Sequence, residues 1–197
     1  MDAAQLAELI ARAQRGEPAA FDALVDRYSA RLYGYFYRLT GARHEAEDLL
    51  QELFVRLVRM IGQYEHGGRF DGWLFRIATN LVRDRVRRAR KCKRAAAAGD
   101  HRVGRNEVDP LAGVADRTAG EPGDLLERAE QLDGLQWAIG QLPPQEREVI
   151  LLRYFSQLSF AEIAELMGTP LGTALARGHR GLARLRELMT DRESQGV

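Results

Sequence analysis

The sequence predicts an all-α protein of two small helical domains joined by a flexible linker, with a helix-turn-helix in the second domain. Apolar residues recur at the helical period along both halves of the 197-residue chain. Between the halves, residues 95–124 lose that period and are rich in glycine. A structureless stretch of this length is too long for a loop within one compact domain. The two domains are therefore predicted at residues 1–94 and 125–197.

Four helices are predicted in the first domain. Their apolar stripes cover residues 6–15, 19–39, 42–61 and the stretch from Phe70 onward. Gly16 and Gly41 are suitable ends for the first and second helices. The glycine-rich loop that precedes the fourth helix carries Tyr64 and Phe70, which are candidates for stacking on nucleic-acid bases. Anchoring of the loop by these two rings is the equal alternative.

The third predicted helix carries an acidic polar cluster on the surface that its apolar stripe leaves uncovered. The cluster consists of Glu47, Asp48, Gln51 and Glu52. From periodicity alone this cluster is interpreted as a solvated helix face.

The fourth predicted helix has one broad apolar side and one narrow polar stripe. The stripe consists of Arg76, Asn80, Arg83 and Arg87, with Trp73 at its edge. Guanidinium groups bind phosphates, an amide can hydrogen-bond a base edge, and an aromatic ring can stack on an unpaired base. A solvated polar face explains the stripe equally well when it is taken alone. Residues 71–94, however, contain nine basic and two acidic residues, which favours an anionic polymer as the partner.

In the second domain, helices are predicted at residues 125–140, 145–155, 160–167 and from about 170 to 189. Ser159 and Glu162 have the spacing of a capping box, Gly168 is a turn residue, and Thr169 is expected to cap the last helix. The last helix is predicted to pack through Leu171, Leu175, Gly178, Leu182 and Leu185. Its opposite side presents Thr173, Arg177, Arg180 and Arg184. This division is typical of the recognition helix of a helix-turn-helix.

The composition argues against several other classes of protein. The single cysteine, Cys92, forms neither an internal disulfide nor a cysteine zinc cluster, which indicates a reducing, cytoplasmic location. The N-terminus lacks the pattern of a signal peptide, and no apolar stretch is long enough for membrane insertion. The four histidines have no metal-binding spacing, and no phosphate-binding glycine motif is present. The sequence thus predicts a non-enzymatic protein without metal, cofactor or small-molecule substrate.

Four motifs follow one another along the chain: FDALVDRYSARLYGYFYRLTG, HEAEDLLQELFVRLVRMIGQY, FDGWLFRIATNLVRDRVRRARK and LPPQEREVILLRYFSQLSFAEIAELMGTPLGTALARGHRGLARLREL. In this order, with an acidic linker before the fourth, they resemble the two conserved domains of a bacterial RNA polymerase sigma factor. The resemblance is to the small extracytoplasmic-function (ECF) type. It covers residues 21–93 and 132–189.

The resemblance implies roles for the first domain. The family's D-x-x-Q-E pattern, which docks on the clamp helices of core RNA polymerase, corresponds to Asp48, Gln51 and Glu52. The fourth helix is expected to read the unwound minus-ten promoter element as a single strand. The residues implied in that contact are Tyr64, Phe70, Trp73, Arg76, Asn80, Arg83 and Arg87.

The second domain is implied to read the minus-thirty-five element as duplex. The residues implied are Thr173, Arg177, His179, Arg180 and Arg184. The recognition helix departs from the family pattern at Leu175, which replaces a usual lysine, and at Gly178, which replaces a bulky residue. Gly181 and Leu182 stand where an Ala–Arg pair is usual. Because glycines lower helix propensity and the cations are fewer, this contact is expected to be altered in preference or strength.

The implied partners are core RNA polymerase, promoter DNA and an anti-sigma factor, without direct membrane insertion. Two other interpretations are open. A sigma-like interaction protein would sequester a regulator without directing transcription. A plain helix-turn-helix regulator would bind operator duplex as a dimer, but this interpretation leaves the first domain unexplained.

Overall fold

The structure is a computed structural model that describes residues 2–65, 67–97 and 134–195. These residues confirm the predicted all-α class. The helices are α1 (Ala3–Gln14), α2 (Pro18–Thr40), α3 (Arg43–Met60), α4 (Phe70–Ala97), α5 (residues 134–141), α6 (Pro144–Ser156), α7 (Phe160–Met167) and α8 (Leu171–Gln195), with one 3₁₀ turn at Ile61–Gln63.

The helices divide into two compact units. The first unit contains α1, α3, α4 and the first part of α2, and the second contains α5, α7, α8 and most of α6. The predicted start of the linker at residue 95 is wrong, because α4 continues to Ala97. The rest of the predicted linker and the predicted helix at 125–133 lie outside the described residues. Within the described parts of the chain, no helix is long and apolar enough to cross a lipid bilayer.

The apolar stripes of α1 to α4 form the core of the first unit. Fully buried members include Ile10, Leu24, Leu32, Leu49, Leu53, Leu57, Leu74 and Phe75. A buried hydrogen bond joins two of these helices, because the hydroxyl oxygens of Tyr35 on α2 and Thr79 on α4 lie 3.1 Å apart. Tyr35 also packs edge-on against Phe75, with ring centroids 5.4 Å apart. These contacts fix which side of α4 faces the core.

The side chain of Gln14, at the end of α1, ties that helix to the segment before α4. Its amide nitrogen donates hydrogen bonds to the carbonyl oxygens of Ile61 and Tyr64, at 2.9 and 2.7 Å. The Ile61 carbonyl also accepts the backbone N–H of Tyr64 at 3.0 Å, so that Gln14 adds a second donor to the 3₁₀ turn that follows α3. The contact therefore fixes the path of the chain into the loop.

The helix-turn-helix in the second unit has the local geometry that the sequence predicts. Ser159 and Glu162 form the capping box of α7, with the Ser159 backbone N–H donating to Glu162 Oε2 at 2.8 Å. Gly168 ends α7 in the left-handed region, at φ 62°. The prediction that Thr169 caps α8 is wrong, because its hydroxyl is buried without a hydrogen-bond partner. The carbonyl of Pro170 accepts hydrogen bonds from the N–H groups of Thr173 and Ala174 in α8, at 2.9 and 3.1 Å.

The packing face of α8 differs from the prediction. Leu171 and Leu182 are about half exposed, at 48% and 49%, whereas Ala174 is fully buried. Two glycines on the buried face allow a close approach between helices. A β-carbon at Gly178 would lie 2.6 Å from the Phe160 ring on α7, and one at Gly181 would lie 2.5 Å from the Ile150 side chain on α6. α8 packs through these glycines because a larger side chain at either position would push α6 or α7 away.

Substitution of Gly178 should therefore destabilise the second unit despite the better helix propensity of alanine. The new methyl group meets the rigid ring of Phe160, and overpacking costs about 1–3 kcal/mol against a propensity gain of about 1 kcal/mol. We expect Gly178→Ala to lower the midpoint of thermal unfolding measured by circular dichroism. Gly172→Ala, in the first turn of α8 with nothing within 4 Å of the added methyl, is the matched control and should not lower it. Equal midpoints for the two variants would contradict this account.

Candidate nucleic-acid interfaces

The polar stripe of α4 lies on the exposed side of one continuous helix. Arg76, Asn80, Arg83 and Arg87 are all exposed, while Leu74, Phe75, Ala78 and Leu81 on the opposite side are buried. Arg87 forms an ion pair with Asp84 at 2.9 Å, and its side chain is 81% exposed. Exposed pairs of this kind contribute little to stability, so the guanidinium can exchange this partner for a phosphate. The stripe is thus a row of cations with an amide in its middle.

The aromatic residues before and at the start of α4 form a packed cluster rather than an exposed platform. Tyr64 and Phe70 are 7% and 2% exposed, with ring centroids 5.2 Å apart. Phe70 also packs against Tyr28 of α2 at 5.6 Å. The expectation that Tyr64 and Phe70 stand exposed for stacking is wrong, because the rings bury more apolar surface against α2 and α4 than they would in solvent. Burial raises the pKa of the Tyr64 hydroxyl.

Trp73 occupies an intermediate position at the edge of this cluster. Its ring packs against Tyr64 at 5.0 Å and Phe70 at 5.6 Å, yet the residue is only partly buried. The indole is therefore held by two other rings and remains partly accessible. An aromatic ring fixed in this way can receive a base without losing further side-chain freedom.

Arg31 on α2 anchors the first turn of α4, which the sequence gives no sign of. Its guanidinium forms an ion pair with Asp71 at 2.9 Å and lies over the rings of Tyr28 and Phe75 at 5.6 and 5.7 Å. An acidic residue in the first turn also complements the helix dipole. Burial first, and the Asp71 charge second, raise the pKa of Tyr28. The start of α4 is thereby fixed by contacts from a helix forty residues earlier in the chain.

The acidic cluster on α3 is accessible. Asp48 and Gln51 are exposed and Glu52 is half-buried. Asp48 pairs with Arg85 of α4 at 3.2 Å, and Glu52 pairs with Arg56 one turn later at 2.7 Å. Because these ion pairs lie at the surface, they are weak and leave the carboxylates able to bind cations of another molecule.

Two exposed apolar residues continue the accessible surface of α3 beyond the acidic cluster. Val55 and Val58 are 51% and 57% exposed. The sequence analysis did not single them out. Their position off the core stripe of α3 is the signal that could have identified them. Apolar side chains beside exchangeable charges are common at the centre of protein–protein interfaces.

Four of the predicted contact residues, Thr173, Arg177, Arg180 and Arg184, lie along one side of α8, whereas His179 is turned about 100° from Arg180. His179, Arg180 and Arg184 are exposed, whereas Thr173 and Arg177 are half-buried. Arg180 and Arg184 also share an intramolecular partner that sequence reasoning missed. The Nε of Arg180 lies 3.1 Å and the Nη1 of Arg184 lies 3.7 Å from the carboxylate of Glu146 on α6.

Comparison with known protein families matches both units. Residues 24–92 match the model of sigma-70 region 2, and residues 132–185 match that of sigma-70 region 4. The ECF RNA polymerase sigma factor SigW of Bacillus subtilis is 36% identical over 182 residues, which cover 92% of this chain and 95% of SigW. The chain belongs to the ECF RNA polymerase sigma factors. The RNA polymerase sigma factor CarQ of Myxococcus xanthus is likewise 36% identical to this sigma factor over 182 residues, covering 92% of the chain and 96% of CarQ.

Solved structures of sigma factors have the same fold. RpoE of Bartonella quintana, in complex with the anti-sigma factor NepR, superposes on this sigma factor with a TM-score of 0.67 at 24% identity, covering 86% of this chain and 96% of RpoE. CnrH, in complex with the cytosolic domain of CnrY, has a TM-score of 0.61 at 24% identity, covering 93% of this chain and 96% of CnrH. At this identity the likeness concerns the fold.

Within the sigma factor, the α3 cluster and the α4 stripe both fall inside the region 2 match, and Glu146 with Arg180 and Arg184 falls inside the region 4 match. Helix α1, including Gln14, lies before both matches. The residues that geometry identifies as accessible thus belong to the two conserved parts of the family.

Truncation should lower stability much more in the aromatic cluster than in the polar stripe. Phe70→Ala removes a buried ring and should cost about 3–5 kcal/mol of unfolding free energy. Asn80→Ala, an exposed residue three turns along the same helix, should change it by about 0.5 kcal/mol or less. Urea unfolding followed by circular dichroism measures both values. A Phe70→Ala variant as stable as Asn80→Ala would show that the ring is not a core residue.

Proposed function

We propose that this sigma factor binds core RNA polymerase through α3, opens and reads the minus-ten element through α4, and reads the minus-thirty-five element through α8. The observation that carries the proposal is the exposed row of Arg76, Asn80, Arg83 and Arg87 within the region 2 match. The chemistry of nucleotide polymerisation then belongs to the polymerase, and the sigma factor itself is not an enzyme. The protein functions where the polymerase is, in the cytoplasm.

Reading of the minus-ten element follows from the spacing of the α4 stripe. Arg76, Arg83 and Arg87 neutralise phosphates of the single strand, which supplies affinity without sequence preference. Asn80, between them, has an amide that can donate and accept at a base edge. Trp73 supplies the stacking surface in place of the buried Tyr64 and Phe70. Since unpaired bases are exposed only after melting, these contacts favour the open promoter over the closed one.

Docking on core polymerase is assigned to Asp48, Gln51 and Glu52. The carboxylates of Asp48 and Glu52 are already paired with Arg85 and Arg56, respectively. These surface pairs are exchanged at little cost for cations of the partner. The exposed Val55 and Val58 provide apolar surface for the same interface.

Recognition of the minus-thirty-five element is assigned to the exposed His179, Arg180 and Arg184 of α8, together with the half-buried Thr173 and Arg177. The helix-turn-helix geometry around Gly168 presents this side for insertion into a major groove. The corresponding domains are residues 1–97, up to the end of α4, for core and minus-ten binding and 125–197 for minus-thirty-five binding, with a linker between them.

An anti-sigma factor is the expected regulatory partner. The structures of RpoE and CnrH, which share this fold, contain the anti-sigma factor NepR and the cytosolic domain of CnrY, respectively. The comparisons do not favour a sigma-like protein that only sequesters a regulator, because both conserved regions match proteins named as sigma factors.

Transcription with purified components tests the proposal. Core polymerase is incubated with a promoter identified by mapping transcript starts after overexpression of the protein. We expect initiation at that promoter only when the sigma factor is added. Equal initiation with and without it would overturn the proposed function, and binding to closed operator duplex without polymerase would favour the plain helix-turn-helix regulator.

Asn80→Ala separates promoter opening from core binding. Loss of a base-edge hydrogen bond should reduce the extent of opening by up to about tenfold, because such a bond contributes about 0.5–1.5 kcal/mol. Opening is measured by the fluorescence of 2-aminopurine in the minus-ten element, and core affinity by anisotropy of labelled sigma factor. Asp22→Ala, at an exposed position of α2 outside the proposed interfaces, serves as the control. A parallel fall in core affinity for Asn80→Ala would refute the assignment.

A further inference from the structure

Glu146 is a buried carboxylate whose surroundings connect it to the recognition helix. It lies in the first turn of α6 and is only 8% exposed. Its Oε1 accepts a hydrogen bond from Nε of Arg180 at 3.1 Å. Its Oε2 is buried without a hydrogen-bond partner and has Nη1 of Arg184 at 3.7 Å. A buried carboxylate is costly unless it is paired, so it constrains the guanidiniums that approach it.

Gly181 makes this arrangement possible. A β-carbon at Gly181 would lie 3.3 Å from Cβ of Glu146, in addition to its clash with Ile150. The bare backbone therefore lets α8 lie close enough to α6 for one carboxylate to reach side chains on both sides of the glycine. Arg180 precedes Gly181 directly, and Arg184 follows it by nearly one turn.

Glu146 holds Arg180 by a hydrogen bond and Arg184 by the longer ion pair alone, and both side chains remain accessible. Arg180 uses Nε toward Glu146, and its side chain is still 61% exposed, while that of Arg184 is 52% exposed. The guanidinium nitrogens that do not face Glu146 are thus available to a ligand while the side chains are restrained. An arginine side chain otherwise loses conformational freedom when it is immobilised on a ligand, and a side chain that is already held loses less. The carboxylate also offsets part of the positive charge that attracts any DNA duplex.

We propose that Glu146 is a positioning residue for recognition of the minus-thirty-five element. It fixes the orientation of Arg180 and Arg184 and at the same time lowers their sequence-independent attraction to phosphate. The specificity of α8 therefore depends on a residue that does not itself touch DNA. This inference rests on the proposed reading of the minus-thirty-five element by α8.

The test uses holoenzyme and two duplexes, one with the mapped minus-thirty-five element and one with that element scrambled. Glu146→Gln keeps the shape of the side chain and removes its charge. We expect the ratio of the two affinities to fall about tenfold, as for loss of one well-oriented arginine contact. Affinity for the scrambled duplex should rise by up to about fivefold, and its salt dependence should steepen by about one phosphate contact.

Glu187→Gln is the matched control, because it also removes one negative charge, at an exposed position of α8. The ion pairs of Arg180 and Arg184 described above are formed with Glu146. Glu187→Gln should raise affinity for both duplexes equally. Glu146→Asp keeps the charge but shortens the side chain, so the ratio should fall without a gain for the scrambled duplex. An unchanged ratio for Glu146→Gln, or an equal effect of Glu187→Gln, would overturn the positioning role.

A second measurement on the free protein is independent of DNA. The Nε–H signal of Arg180 in nitrogen-15 NMR should exchange slowly with water in the wild type and at least about tenfold faster in Glu146→Gln. Fast exchange in both would also overturn the role of Glu146. A wild-type holoenzyme that binds both duplexes equally, with slow exchange at Arg180, would instead show that reading of the minus-thirty-five element by α8 is the step that fails.

Discussion

The division of α4 into a buried and an exposed side is the constraint on which the first unit depends. The Tyr35–Thr79 hydrogen bond and the packing of Phe75 hold one side in the core. Residues four apart lie on the same side of an α-helix. With Phe75 and Thr79 held in the core, Arg76 and Asn80 share the exposed side. The same anchoring at Arg31 and Asp71 fixes where the helix starts. The row of cations stays exposed because the packing of the opposite side prevents α4 from turning about its axis.

The sequence could predict those features that depend on neighbours close along the chain. The capping box of Ser159 and Glu162 and the left-handed Gly168 are local, so residue type and spacing determine them. The exposed stripe of α4 was predictable because a long amphipathic helix has only one way to bury its apolar side. Here the periodicity and the packing lead to the same answer.

Other features depend on which elements meet, and spacing alone does not specify them. For Phe70 the sequence left stacking on bases and anchoring of the loop equally open, and the ring packs on Tyr28 of a helix that ends thirty residues earlier. Arg180 was correctly placed on the outer side of α8, but its partner Glu146 lies 34 positions away. A glycine-rich loop can lead its aromatic residues either outward or inward, and only the neighbouring surface of α2 decides between them.

The recognition helix shows how a local cost becomes a tertiary gain. Glycine within a helix costs about 1 kcal/mol relative to alanine, and from sequence alone Gly178 and Gly181 therefore weaken α8. In the folded unit both glycines lie where α8 comes closest to α6 and α7, and the space that they leave is filled by Phe160, Ile150 and Glu146. The number of cations on such a helix does not by itself set its specificity. Affinity for any duplex increases with each free charge, whereas discrimination requires that a charge be held in one direction, and close packing against an acidic neighbour provides that restraint.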